Sequence, residues 1–197
     1  MTHPSSTPSL AAVILRMEAI DAGLTDRDIA KLVRAGDWHR IRHGAYCDGQ
    51  LWRSLDLGGR HMLLARAVVR QARTEVVLSH VSAVPEYGGP AHLLDLDMVH
   101  ETRLDQRAGR AEAGVRQHQG VLLPEDVVVV HDVPVTSPTR TAIDVTTVVG
   151  LDESVAVVQH LLGAGHTTLA QVRARYASMV NNPYTGRTEV VLRRVEH

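Results

Sequence analysis

The spacing of apolar residues along this chain changes several times, and each change marks an element. Over 10–22, Val13, Met17 and Ile20 recur at near-helical spacing and Gly23 ends the run, which predicts a first helix. Over 25–35 the helical period is two-faced. At about 100° per residue, Ile29, Leu32 and Val33 share one side, while Arg27, Lys31 and Arg34 gather on the other. Thr25 with Asp28 predicts a capping box, and Gly36 stands where a helix stop is expected. The period then shortens. Trp38 and Ile41 alternate with Arg40, Arg42 and His43 as in a strand, and His43-Gly44 suits a turn. Two helices across a short junction, followed by a basic strand, predict a winged helix-turn-helix. In that arrangement the second helix enters the major groove and the wing touches phosphates. Only nine residues precede the first helix, so the helix that usually comes before it is missing or rudimentary. The competing reading is that the charged face of 25–35 is merely solvated, as on any surface helix; spacing alone leaves both open.

Beyond the wing, 50–57 reads as a connector carrying Trp52, 59–72 as a helix and 75–78 as a short apolar strand. Ser79 suits the cap of a small helix running to about Tyr87, and Gly88-Gly89-Pro90 is the best candidate boundary. After it, 94–101 alternates like a strand, 103–113 is a polar loop with Arg103, Arg107 and Arg110, and 114–119 is a second strand. A buried strand over 127–131 turns at Asp132 into 133–136. Ser137 as N-cap with Pro138 at the first helical position opens a helix to 149. Asp152 opens another, ending near 163–165, and the Thr168/Gln171 capping box opens a third, to about 180. Asn181-Asn182-Pro183 breaks the chain before a last charged helix over 185–195. The predicted fold class is α+β: a winged helix-turn-helix domain (1–50), a helical connector (51–90) and a mixed α/β C-terminal domain (91–197).

Composition narrows this picture. At 197 residues the chain suits one large domain or two small ones. With 44% hydrophobic residues and no Phe, its core must be built from Val, Leu, Ile and Ala. A net charge of −1 and a pI near 6.9 exclude a polycation, so nucleic-acid binding requires a local patch. Residues 27–43 supply one, with five Lys/Arg against two Asp and two His in addition. The single Cys47 excludes an intramolecular disulfide and a multi-cysteine zinc site. It reads as a packed small side chain in a reducing cytoplasm. No run is long and apolar enough to span a membrane, and 1–9 does not resemble a signal peptide, so a cytoplasmic location is expected.

Candidate chemistry is sparse. Of twelve histidines, His80, His100, His118 and His131 fall on or near predicted strands, yet none belongs to a short-spaced ligand pair. Hydrogen-bonded core histidines are the preferred reading, and no metal is expected. Ser79, His80 and Ser82 lack a nucleophile-elbow pattern. Asp95, Asp97 and Glu101 occupy alternate positions of a predicted strand, which reads as a solvated face rather than a metal site. There is no GxGxxG and no P-loop. No catalytic residue and no cofactor are expected, and the chain does not read as an enzyme.

Three stretches in order, GLTDRDIAKLVRAGDWHRIRHGAYCD (23–48), LSHVSA (78–83) and VPVTSPTRTAIDV (133–145), resemble actinobacterial proteins of the AbiEi-type antitoxin family. The resemblance implies an N-terminal winged helix-turn-helix, a mixed α/β C-terminal part and a role as DNA-binding antitoxin of a type IV toxin–antitoxin system. Such proteins repress their own operon and counter a nucleotidyltransferase-like toxin. Carried over, the recognition helix is 25–35 and the wing is 38–46. Arg34, Arg40, Arg42 and His43 then contact phosphates, Arg27 and Lys31 lie nearer base edges, and Thr25 and His39 complete the DNA-binding set. The expected partners are the operator duplex and the toxin. An alternative makes the chain the scaffold part of a longer protein carrying the restriction-endonuclease-like domain found downstream in many actinobacterial relatives.

Overall fold

The first apolar run divides into three pieces in the computed structural model, which describes residues 7–105, 111–179 and 187–196. Leu10–Ala12 is a 3-10 turn, Ile14–Leu15 a two-residue strand (β1) and Arg16–Asp21 a short helix (α1). The helix expected over 10–22 therefore begins only at Arg16. Ile14 pairs with Tyr46 and Leu15 with Ala45, while Val13 is buried beneath them. A ladder partner and burial outweigh helical spacing for this aliphatic run.

The next helix forms as its sequence dictates. In α2 (Asp26–Ala35) the Thr25 hydroxyl accepts from the Asp28 N–H at 3.2 Å, and the Asp28 carboxylate accepts from the Thr25 N–H at 3.0 Å. Gly36 ends it at φ +80°, in the left-handed region that glycine enters without penalty. β2 (Trp38–Arg42) and β3 (Ala45–Asp48) form a hairpin closed by His43-Gly44, with a bulge between Arg40 and Arg42. The three strands make an antiparallel sheet in the order β1-β3-β2.

The expected connector is a helix, α3 (Gly49–Ser54), whose first turn is capped by Asp48 accepting from the Leu51 N–H at 2.8 Å. Then comes α4 (Leu57–Gln71), capped by Asp56. Val13, Ala45, Cys47, Leu55, Leu63 and Ala67 form a small core, with Ile41, Leu51 and Trp52 against it. Half of that core comes from beyond residue 50. The opposite side of α4 places Ala65 and Val68 in the larger core. Segment 51–90 thus contributes to both cores, and β4 (Val76–Leu78) lies inside the larger sheet.

That sheet runs β6-β7-β5-β4-β9-β8. Its other strands are β5 (Val99–Arg103), β6 (Ala111–Glu112), β7 (Val115–His118), β8 (Val127–Val130) and β9 (Val133–Thr136). β5 is parallel to β7 and β4 to β9, while the remaining pairs are antiparallel. Three expectations need correction. Residues 79–87 form two 3-10 turns, His80–Ser82 and Val84–Tyr87, rather than one helix, and Pro85 carries no N–H for a longer ladder. Asp95 and Asp97 precede β5, where the Asp97 N–H donates to the Asp95 carboxylate at 3.0 Å, so they share no strand face with the buried Glu101. β8 is an edge strand with Val129 74% exposed; four consecutive valines are read as a buried run, yet among the described residues only one flank has a strand partner.

Helices complete the larger core: α5 (Pro138–Asp144), α6 (Leu151–Gly163), α7 (Leu169–Ala177) and α8 (Thr188–Val195), with a 3-10 turn at Val145–Thr147. The caps at Ser137 and Thr168 form as their sequences require. Leu78, Val99, Val135, Ile143, Val158, Leu161, Val172 and Leu192 meet in one cluster. Arg107, Arg110, the break at Asn181-Asn182-Pro183 and the expected helix start at Thr185 lie outside the described residues. Among the described residues, no helix is long and apolar enough to cross a membrane.

Candidate nucleic-acid interface

The eight residues singled out on α2 and the hairpin divide into an outer and an inner group. Thr25, Arg27, Lys31, Arg34, Arg40 and His43 are exposed, and His39 and Arg42 are half-buried. Arg27, Lys31 and Arg34 stand at i, i+4 and i+7 of α2, one face of a helix, while Ile29 at 3% exposure anchors the other. Among the described residues these three cations make no hydrogen bond or ion pair. Thr25 is committed to the cap. The two acidic residues beside it are already occupied: Asp28 in the capping box, and Asp26 by Arg16 of α1 at 2.5 Å. At the hairpin, the Arg40 guanidinium donates to His43 Nδ1 at 3.0 Å, which joins the strand to its turn.

The inner pair is engaged within the chain. His39 stacks on Trp52 with ring centroids 4.0 Å apart, and Arg60 covers the indole at 5.3 Å. Burial, and then the Arg60 cation, lower the His39 imidazole below its ordinary value. It packs against Trp52 from its place in β2. Arg42 donates to the Ala113 carbonyl at 3.2 Å. Beside it a pocket of about 440 Å³ is lined by Arg42, Gln71, Arg73, Glu101, Arg103 and Gln117. Glu101 is 2% exposed and accepts from the Gln117 amide at 3.0 Å; burial raises its carboxyl above the ordinary range.

The orientation of α2 is fixed at its C-terminus. The Gly49 N–H donates to the Asp37 carbonyl at 2.8 Å, and the Arg53 guanidinium to the Gly36 carbonyl at 3.2 Å. A Cβ at Gly49 would sit 2.0 Å from the Gly36 carbonyl oxygen, so only glycine permits this approach. Arg70 of α4 holds β1 and α1 by ion-pairing Glu18 and donating to the Val13 carbonyl, and Gln71 donates to the His43 carbonyl at 2.8 Å. Cys47, buried opposite His39, has its thiol pushed up to about 11 by burial, which leaves it an inert packing group.

The larger unit brings together residues that are distant in sequence. His80, His100 and His118 converge, with one potential ligand atom from each lying within 4.8 Å of the others. His80 and His118 stack at 3.6 Å, and His118 Nε2 meets His100 Nδ1 at 3.1 Å. Burial holds all three imidazoles well on the neutral side, with His100 near 4 and His118 near 3. His131 is elsewhere, 3.1 Å from Glu86. No protein-family model matches this chain, and no curated protein matches it.

Proposed function

We propose that the chain is a DNA-binding autorepressor and antitoxin of a type IV toxin–antitoxin system, acting in the cytoplasm through an N-terminal winged helix-turn-helix. The observation that carries the DNA-binding part is the order β1-α1-α2-β2-β3 around a β1-β3-β2 antiparallel sheet, with three cations on the outer face of α2 that are unpaired among the described residues. That order, among the described residues, supports the winged helix-turn-helix reading, and a helix of ten residues suits insertion into a major groove. Arg27 and Lys31 would approach base edges, while Arg34, Arg40 and His43 would lie along phosphates. Arg42 and His39 would support the hairpin. The antitoxin role, and a nucleotidyltransferase-like toxin as partner of the larger unit, rest on the resemblance of the three sequence stretches.

The test is binding of the purified chain to its own upstream duplex and to a scrambled duplex, each across a salt series. Preference for the native sequence, with log affinity falling by about 0.9 per log salt for each phosphate neutralised, is the expected result. Equal, weak binding to both would reduce α2 to a solvated face. Co-purification of the chain with the product of a neighbouring nucleotidyltransferase-like reading frame tests the second half.

A further inference from the structure

We propose that His80, His100 and His118 form a binding site for a divalent transition metal, Zn²⁺ in the first place. Three separate parts of the larger sheet deliver them: the turn after β4, the start of β5 and the end of β7. Their ligand atoms all lie within 4.8 Å of one another. A tetrahedral zinc site with nitrogens about 2.0–2.1 Å from the ion spaces its donors about 3.4 Å apart. The His100–His118 nitrogens, at 3.1 Å, are already near that spacing. The stacked rings of His80 and His118 must open by a side-chain rotation for both to face one ion. An all-imidazole set suits Zn²⁺, and with three protein ligands one coordination position stays open to water or an added donor.

Two further observations bear on access and on the shape of the site. Each ring has two nitrogens, but among the described residues only His80 Nδ1, His100 Nδ1 and His118 Nε2 are hydrogen-bonded. The other three ring nitrogens are not among the buried unsatisfied atoms, so the cluster is open to solvent and to an entering ion. His80 is also held at φ +53°, a conformation that a non-glycine residue adopts only when its surroundings impose it. Those surroundings resemble the outer shell of a metal site. Ser79 Oγ lies 2.9 Å from His80 Nδ1 and accepts from the Thr102 hydroxyl at 2.9 Å, so a His80 Nδ1–H donated to it would leave Nε2 free for a metal. Ser82 Oγ accepts from the His100 N–H at 2.8 Å and meets His61 Nε2 at 2.8 Å, which fixes the start of β5. The site is independent of α2 and of the DNA-binding proposal.

The test is titration of the full chain, freed of metal by a chelator, with Zn²⁺ by calorimetry and with Co²⁺ by visible absorption. One ion per chain and intense Co²⁺ bands of low coordination number are expected. His118, the least buried of the three, is the variant of choice. His118→Ala should lower affinity about 100-fold or more, and Ser79→Ala, which only orients His80, about tenfold. His92→Ala, at an exposed position, should change nothing. Circular dichroism confirms that each variant is folded. Failure of the folded wild-type chain to take up one equivalent, or uptake unaffected by His118→Ala, would overturn the proposal. Should His118→Ala not fold, ¹⁵N imidazole spectra of the wild-type chain answer the same question. Shifts of three ring systems on adding Zn²⁺ support the site, and unmoved rings refute it.

Discussion

The two units of this molecule treat arginine in opposite ways. On α2, Arg27, Lys31 and Arg34 are exposed and pair with nothing among the described residues. In the larger unit, Arg66 is fully buried and donates to both Glu86 carboxylate oxygens, at 2.6 and 3.1 Å. Arg140, 3% exposed, reaches Asp144 at 2.7 Å and Asp126 at 3.3 Å, and Arg175 grips Asp126 at 2.6 Å. A buried charge must be neutralised where it stands, because the interior offers little solvation. A surface charge is free to be neutralised by a partner. The difference makes stability the role of the second group, and it leaves the first free for the recognition proposed above.

The largest effect should come from breaking a buried pair. Glu86→Ala strands Arg66, whose Nε already lacks a partner among the described residues, and should cost about 3–5 kcal/mol in denaturant unfolding. The double variant Arg66→Met, Glu86→Leu should be far milder than Glu86→Ala, because it removes both charges. If the two variants were equally destabilised, packing rather than charge would be the purpose of the pair.

Acid gives the next effect. His61 is buried between Ser82 and the Leu96 carbonyl, and burial lowers its imidazole to about 4. The unfolded chain takes up its proton near 6.5, before the folded chain does, so this contribution is complete above 6.5 and is lost as pH falls towards 4. The loss should be about 3 kcal/mol between pH 7 and 4. Asp144 opposes it. Burial raises its carboxyl to about 6, so its contribution is present below the unfolded value near 3.8 and lost as pH rises through 6. Comparing the pH dependence of stability in His61→Gln and the wild-type chain isolates the histidine. Parallel curves would refute the assignment.

Local signals were legible where one residue type has one use. The Thr25, Ser137 and Thr168 caps, the Gly36 stop and the two faces of α2 all follow from side chains acting on backbone within four residues. What was illegible depends on distant partners. Ile14-Leu15 forms a strand only because β3 lies alongside. The cut at residue 50 ignores Leu55, Leu63 and Ala67, whose periodicity is helical whichever core they fill. The stacking of His39 on Trp52, thirteen residues on, is likewise a contact that spacing alone does not show. His80, His100 and His118 carry no ligand spacing because sheet pairing, not sequence, assembles them.

A smaller stability effect tests whether the caps act as independently as their sequences suggest. Ser137→Ala removes the acceptor for the Arg140 N–H, 3.3 Å away, and should cost about 1 kcal/mol. Because α5 also carries Arg140 into the Asp126 cluster, a much larger loss would show that the cap holds the buried network in register as well.

The smallest stability effect should accompany a large functional one. Arg27→Ala with Lys31→Ala removes two exposed cations from a helix whose cap and buried face are untouched, so unfolding free energy should change by about 0.5 kcal/mol or less. Duplex affinity should nevertheless fall, and the preference for native over scrambled DNA should fall with it, because hydrogen bonds at base edges carry the sequence reading. Arg34→Ala with Arg40→Ala should weaken binding to both duplexes alike and reduce the salt slope by about one for each phosphate no longer neutralised. Arg42→Ala distinguishes the inner group from the outer one. Its guanidinium is spent on the Ala113 carbonyl, so it should loosen the junction between hairpin and larger sheet, and its stability loss should be independent of DNA. If instead Arg42→Ala reduced the salt slope as Arg34→Ala does without altering stability, the hairpin would have to turn outward on DNA. The division between recognition and stability would then move one residue along the strand.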